Sequence, residues 1–254
     1  MLDGGEVTHL NFEKRTSKTL CLFTALCISL VISACTTDRS LEIERAGNAQ
    51  TQAQDPAPTN ASEALALLQK GNERFVAGSP RHGHESVDRR KELIAEQHPF
   101  ATVLGCSDSR VPPELLFDQG FGDLFVVRVA GNVVATDDLG SIEYAVDHLH
   151  TPLLLVLGHE GCGAVTAALE PEALRNKEAK DIQELLALIL PGLKGIDPKL
   201  SANERVSRGV ESNVRWSMKQ LQNSPDLKEK IDGGHLRIVG GVYELETGKV
   251  RLLS

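Results

Sequence analysis

The segment ATVLGCSDSR, residues 101–110, decides the fold, because a short apolar run ends there at a cysteine. Residues 101–105 are apolar or small, which is typical of a buried β-strand. Cys106 then lies at the carboxyl end of that strand, where open α/β sheets place their ligands. Asp108 and Arg110 follow at every second position. The segment therefore predicts a strand whose end carries reactive side chains.

A second segment further along the chain has the same design. Residues 153–158, LLLVLG, are another apolar run, and His159-Glu160-Gly161-Cys162 follows it directly. If the two strands are neighbours in the sheet, Cys106, His159 and Cys162 converge at one edge. Two thiolates and one imidazole leave one position of a tetrahedral zinc open, which is typical of catalytic zinc sites.

Other interpretations of these residues explain less. A disulfide between the two cysteines leaves His159 and the acid and base beside Cys106 without a role. The glycines at 158, 161 and 163 suggest a phosphate loop, but no Lys-Ser/Thr pair follows them. A structural zinc site usually closes with a fourth cysteine or histidine. The catalytic metal site is the interpretation that uses all the residues.

The acid and the base next to Cys106 suggest how such a site works. Zinc with an open position lowers the pKa of bound water, so that hydroxide forms near neutral pH. Asp108 lies two residues from Cys106 and so projects to the same side of an extended segment. We expect it to orient a zinc-bound hydroxide. Arg110 can hold Asp108 through a bidentate pair, which prevents the carboxylate from closing the metal site.

Length and composition set the broad class. The chain has 254 residues, of which 41% are hydrophobic, and a formal net charge of −8 at pH 7. This is enough for one substantial domain. No block of basic residues appears, which argues against a nucleic-acid partner.

The first 60 residues are not predicted to belong to the folded domain. Basic residues precede an apolar run from Leu20 to Ala34, as in a signal peptide. The run ends Ile-Ser-Ala before Cys35, which resembles a bacterial lipobox and implies cleavage before Cys35 and its lipidation. We therefore predict a signal peptide over 1–34, a disordered tether over 35–60, and an exported, membrane-anchored protein on the periplasmic or cell-surface side. Soluble export, an uncleaved anchor, and a cytosolic protein starting downstream are the alternatives.

Residues 61–254 are predicted to form one α/β domain. Strands alternate with helices, which favours a central, mainly parallel sheet covered by helices. Ser62 is the predicted cap of the first helix, and a second helix is expected over 87–97. Strands are expected at 100–105, 124–129 and 153–158, with a final strand at 235–241 and its hairpin partner at 249–253.

The two motifs together resemble the β-class carbonic anhydrases. Cys106-Ser-Asp-Ser-Arg110 and Gly158-His-Glu-Gly-Cys-Gly163 carry the resemblance, which extends from about Asn72 to Tyr243. It implies reversible hydration of carbon dioxide to bicarbonate and a proton, the carbonate dehydratase reaction. It also implies the sheet architecture of that family, one Zn²⁺ per subunit, and a homodimer or a multiple of dimers.

The resemblance also assigns individual residues. Cys106, His159 and Cys162 match the zinc ligands. Asp108 and Arg110 match the family's dyad, with Asp108 a fourth ligand only in a closed site. The positions that match its substrate pocket, partly contributed across the dimer, are Gln97, which would bond substrate, Phe125, Ala130 (often valine in one subclass), Tyr144 and Gly163.

Val103 predicts the state of the site. The subclass that closes around a regulatory bicarbonate resembles a pattern with tryptophan three residues before the first cysteine. Here that residue is Val103, which favours an open site at neutral pH. Two other functions stay open on sequence grounds: hydrolysis of carbonyl sulfide or carbon disulfide at the same site, and a catalytically poor zinc- or bicarbonate-binding module.

Overall fold

The computed structural model describes residues 55–253 of the chain. The predicted signal peptide over 1–34, the predicted lipidation site Cys35 and residues 36–54 of the predicted tether lie outside the described residues. Between residues 55 and 253, none of the helices combines the length and the apolar character needed to cross a membrane.

Helices and strands alternate along this part of the chain. The α-helices, in chain order, are α1 Ala61–Val76, α2 Val87–Glu92, α3 Pro113–Leu116, α4 Thr136–Asp147, α5 Gly163–Leu169, α6 Glu172–Arg175, α7 Lys180–Ile189, α8 Ala202–Gln222 and α9 Pro225–Asp232. Short 3₁₀ turns span Ala130–Asn132 and Leu190–Leu193. The strands are β1 Ala101–Gly105, β2 Leu124–Arg128, β3 Leu153–His159, β4 Arg237–Tyr243 and β5 Val250–Leu253.

The strands form a sheet of the predicted class. Its order is β2-β1-β3-β4-β5, with β2, β1, β3 and β4 parallel and β5 antiparallel to β4. Every residue of β1 and β3 is buried, as expected for parallel strands covered on both faces. The predicted α/β fold with a central, mainly parallel sheet is confirmed.

The pairing of β1 with β3 positions the two sequence motifs. Gly105 of β1 is in register with Leu157 of β3, so the residues that follow the two strands leave the sheet side by side. Cys106 therefore emerges beside the end of β3, which carries His159. The condition set by the sequence, that the two strands be neighbours, is met.

Helix α8 packs closely on β3 and β4 because one glycine in each strand leaves room for it. A Cβ atom at Gly158 would lie 2.6 Å from Val214 Cγ2, and one at Gly240 would lie 2.5 Å from Met218 Sδ. The helix begins with a capping box, in which Glu204 N–H donates to Ser201 Oγ and Ser201 N–H donates to Glu204 Oε2. It thus lies directly behind the strand that carries His159.

Two local predictions about helices are wrong. Asn60, not Ser62, caps α1, since its Oδ1 accepts from the N–H groups of Ser62 and Glu63. The helix expected over 87–97 ends at Glu92 and has no buried residue. Without an apolar face to bury, a helix of this length is not sustained. Residues 93–100 instead lead to β1 as an irregular segment.

Candidate metal centre

Three ligand types converge at the carboxyl ends of β1 and β3. The Sγ atoms of Cys106 and Cys162 and a ring nitrogen of His159 all lie within 4.8 Å of one another. The three residues are buried, at 4%, 1% and 1% exposure. Both cysteines are free thiols, so they are available as ligands.

His159 has the tautomer and the orphaned atom of a metal ligand. Its Nδ1 lies 2.9 Å from the Glu160 carbonyl oxygen, to which it donates. Its Nε2 is then the lone-pair nitrogen, and it is buried without a hydrogen-bond partner among the described residues. Buried polar atoms are rarely left unpaired, and ligating histidines commonly donate their other nitrogen to a carbonyl. A metal at Nε2 satisfies both observations.

Cys106 lies in an environment that favours a thiolate. The Gly131 and Asp108 N–H groups donate to its Sγ, at 3.3 Å and 3.5 Å. The Cys162 thiol, with smaller contributions from His159 and these N–H groups, lowers the pKa of Cys106 although burial opposes the shift. A thiolate is the form that binds metal.

Cys162 lies just before the first turn of α5. Backbone N–H groups of Ala164 and Val165 bond its sulfur and favour the thiolate, but the neighbouring Cys106 sulfur and burial raise the pKa of Cys162. Two buried sulfurs this close do not both ionise unless a cation lies between them. The donor set therefore fits a divalent metal such as zinc.

Asp108 lies beside the cluster and is held by Arg110. The Arg110 Nε and Nη2 atoms donate to Asp108 Oδ1 and Oδ2 at 2.9 Å and 2.7 Å, and the Arg110 N–H donates to Oδ1 at 3.0 Å. These bonds lower the pKa of the Asp108 carboxyl well below its usual range. Asp108 Oδ2 lies 3.8 Å from His159 Nε2, so the carboxylate faces the cluster while bonded to Arg110.

Arg128 is a site residue to which the sequence reasoning assigned no role. From the end of β2, its Nε donates to the Cys106 carbonyl at 2.9 Å and its Nη2 donates to the Asp108 carbonyl at 2.6 Å. It thereby fixes the backbone between the ligand and the acid. The only signal in the sequence is a basic residue at the end of an apolar strand. Its target is visible only once Arg128 is placed opposite Gly105 in the sheet.

Two predicted pocket residues also lie near the cluster. Gly163 opens α5 next to Cys162, and a Cβ atom there would meet nothing within 4 Å. Ala130 opens the 3₁₀ turn Ala130–Asn132, whose next N–H, that of Gly131, bonds Cys106. Both positions border the ligands with small side chains.

The other predicted pocket residues lie elsewhere on the chain. Gln97 is exposed and precedes the amino end of β1. A five-residue strand is about 16 Å long, so Gln97 and Cys106 are at opposite ends of β1. Phe125 packs against Tyr144 in a tilted arrangement, with ring centroids 6.2 Å apart, and Tyr144 is 47% exposed. Within one chain, the structure does not bring Gln97 to the cluster.

Comparisons of this sequence with known proteins agree on one family. A family model described as carbonic anhydrase matches residues 101–250. Carbonic anhydrase 2 of Mycobacterium tuberculosis is 46% identical over 198 residues, which cover 76% of this chain and 93% of that protein. A carbonic anhydrase of Mycolicibacterium smegmatis is 43% identical over 200 residues, which cover 77% of this chain and 95% of that protein.

Solved structures agree with the sequence matches. A Coccomyxa β-carbonic anhydrase in complex with acetazolamide has a TM-score of 0.60 at 29% identity, and the match covers 77% of this chain and 87% of that one. One of two tetrameric β-carbonic anhydrases from Sordaria macrospora has a TM-score of 0.60 at 28% identity, with coverage of 65% and 85%.

Proposed function

The chain belongs to the β-class carbonic anhydrases, enzymes of reversible carbon dioxide hydration. We propose that Cys106, His159 and Cys162 hold one catalytic Zn²⁺ per subunit. The observation that carries the proposal is the buried Nε2 of His159, which has no hydrogen-bond partner among the described residues, in a cluster with the sulfurs of Cys106 and Cys162. Zinc bound by three protein ligands supplies the Lewis acidity that makes water a nucleophile near neutral pH.

Asp108 is proposed to orient the attacking water. Its Oδ2, which faces the cluster, accepts a hydrogen bond from the water and directs the lone pair toward the carbon of carbon dioxide. Two side-chain bonds from Arg110 keep the carboxylate off the metal position. Together with Val103, which replaces a tryptophan of the closing subclass, they support an open site at neutral pH.

The dyad is not proposed to store the proton that hydration releases. Carbon dioxide and water give bicarbonate and one proton, and that proton must leave the site in every cycle. Because Arg110 lowers the pKa of Asp108, the carboxylate stays ionised and acts as a hydrogen-bond acceptor only. The proton therefore passes to solvent or buffer.

The direct test is a stopped-flow hydration assay on the purified full chain, with zinc measured on the same sample. We expect about one zinc per chain and hydration activity that disappears when a chelator removes the metal. Carbonyl sulfide and carbon disulfide in parallel assays test the other substrates of such a site. A protein with zinc but no hydration would favour a binding module, and one with neither would contradict the proposal.

We propose that the active form is a homodimer or a multiple of dimers. Gln97 lies at the far end of β1 from the proposed metal ligands of its own chain, while Phe125 of the outer strand β2 packs against Tyr144, which is exposed. A second copy that packs on this face can supply these side chains to the partner's site. The Sordaria relative is tetrameric, which supports an assembled state.

We propose, from the leader sequence alone, that the protein is exported and anchored through lipid on Cys35. Mass spectrometry of the protein from a membrane fraction should find residue 35 at the mature amino terminus with attached acyl chains. A Cys35→Ser variant should lose the lipid and leave the membrane fraction. An unprocessed amino terminus would contradict this assignment.

A further inference from the structure

Helix α8 contacts the backbone of the metal centre through two buried polar side chains. Asn213 Nδ2 donates to the Gly131 carbonyl at 2.7 Å, and Ser217 Oγ donates to the Asn132 carbonyl at 2.8 Å. Asn213 and Ser217 are 1% and 0% exposed. Being four residues apart, they lie on the same face of the helix, and together they hold the Ala130–Asn132 turn.

This turn has a conformation that needs to be held. Gly131 and Asn132 both have positive φ angles, 69° and 43°. Asn132 carries a side chain in the left-handed region, which is sparsely populated and persists only where the surroundings fix it. A Cβ atom at Gly131 would lie 2.8 Å from Ile189 Cδ1, so the turn also depends on a glycine.

The conformation of the turn determines a bond to a metal ligand. The Gly131 N–H donates to Cys106 Sγ at 3.3 Å. This N–H points at the sulfur only while the backbone of 130–132 keeps its shape. Hydrogen bonds to a ligating sulfur withdraw electron density from it and so tune the metal.

The amide of Asn213 is destabilising at this buried position. Its Oδ1 is buried and has no hydrogen-bond partner among residues 55–253. A buried acceptor left unpaired is destabilising, whereas an apolar side chain of similar size would avoid the penalty. The interaction that the amide does make is the bond to Gly131, and this is the reason we assign to its presence.

We propose that Asn213 and Ser217 are positioning residues of the metal centre, which hold the 130–132 turn so that the Gly131 N–H bonds the Cys106 sulfur. The inference rests on the proposed zinc site. The two residues support the site from α8, a helix that contributes none of the proposed ligands. Neither residue is placed in contact with substrate, so their effect must be transmitted through the turn.

The test is spectroscopic and uses the full-length protein with Co²⁺ in place of zinc. Asn213→Leu removes the bond to Gly131 and keeps a side chain of similar volume. We expect the sulfur-to-cobalt charge-transfer absorption to move to longer wavelength, because a sulfur without the N–H bond donates electrons more readily. In the zinc form, we expect release of the metal to a chelator to become about ten-fold faster. Ser217→Ala should change both readouts in the same direction and by less.

Leu221→Ala is the matched control, since it removes a fully buried side chain from the same face of α8. It should lower the melting temperature but leave the absorption band and the release rate unchanged. If Asn213→Leu and Ser217→Ala both bind cobalt with an unaltered band, the inference is wrong while the metal site stands. If the unsubstituted protein binds no metal, the proposed function fails and the inference fails with it.

Discussion

The two ends of strand β1 differ in whether the predicted site residues of one chain meet there. At the carboxyl end, Cys106 meets His159 and Cys162 within 4.8 Å, and all three side chains are buried. At the amino end, Gln97 is exposed, in an irregular segment that follows a helix with no buried residue. The resemblance assigns residues from both ends to one catalytic pocket. A single chain, however, brings together only the residues at the carboxyl end.

The difference follows from the geometry of a parallel sheet. Neighbouring parallel strands bring their carboxyl ends to one edge, so ligands that follow β1 and β3 converge within the chain. A residue before β1 is on the opposite edge and cannot reach them. Metal binding should therefore be a property of the single chain, whereas the complete substrate pocket should depend on assembly.

The largest effect is expected at the carboxyl end, from Cys162→Ala. Without one of the three proposed ligands, the zinc content should fall below about 0.1 per chain. Hydration should slow by about 10³-fold or more, because the loss of metal removes several kcal/mol of transition-state stabilisation. Metal analysis and stopped-flow hydration on the same preparation measure both effects.

A core substitution separates ligand loss from general destabilisation. Leu186→Ala removes a buried side chain of α7 and should lower stability by about 2–5 kcal/mol while the zinc content stays unchanged. A Cys162→Ala protein that kept its zinc would show that this cysteine is not a ligand.

The carboxyl end was predictable from sequence because its information is local. A short apolar run followed at once by a ligand-type residue defines both the strand and the position of Cys106. The same holds for His159 and Cys162. The one condition that the local pattern leaves open is that β1 and β3 are neighbours, and the structure shows that they are. The open or closed state of Asp108 and the roles of all pocket residues remain predictions.

The supporting contacts were not predictable, since they join residues far apart in the chain. Arg128 bonds the backbone on either side of Ser107, and Asn213 bonds Gly131 across 82 positions. No periodicity reports such pairs, because each depends on strand register or helix packing. A buried asparagine on the inner face of an amphipathic helix was the only sign of the second contact.

A smaller effect is expected from Asp108→Ala, which removes the carboxylate proposed to orient the water but no proposed ligand. Zinc should remain at about one per chain, and hydration should slow by about 10²–10³-fold. Asp88→Ala is a matched control, since that side chain is 85% exposed; it should change neither quantity. Full activity of Asp108→Ala would remove the dyad from the mechanism.

Gln97→Ala tests the amino end, where we expect about a ten-fold loss of rate with zinc retained, in line with one lost hydrogen bond. Mixing this chain with Asp108→Ala chains under subunit exchange shows where Gln97 acts. If Gln97 serves the partner's site, half of the sites in each mixed dimer are complete, and the mixture recovers about a quarter of the unmodified rate. If it serves its own site, mixing yields only the average of the two parent rates.

The smallest effect on hydration is expected from Asp118→Asn, in the loop between α3 and β2, although this change should alter stability. Burial opposes ionisation of Asp118, but the N–H groups of Arg81 and His82 and the Arg74 guanidinium bond its carboxylate and lower its pKa overall. Asp118 also has a positive φ of 48°, which asparagine tolerates well. The substitution therefore removes the charge with little strain on the backbone.

The pKa of Asp118 is lower in the folded chain than in the unfolded chain, where an aspartate has a pKa of about 4. The ionised carboxylate therefore stabilises the fold at pH values above about 4. That stability is lost as the pH falls through the lower, folded value. At pH 6, Asp118→Asn should lower the melting temperature by about 4–8 °C, equivalent to about 2 kcal/mol, and by pH 3 the difference should shrink.

The exposed control Asp88→Asn should have a melting temperature within about 1 °C of that of the unmodified protein. A deficit that is constant from pH 6 to pH 3 would mean that the charge of Asp118 is not what holds this loop.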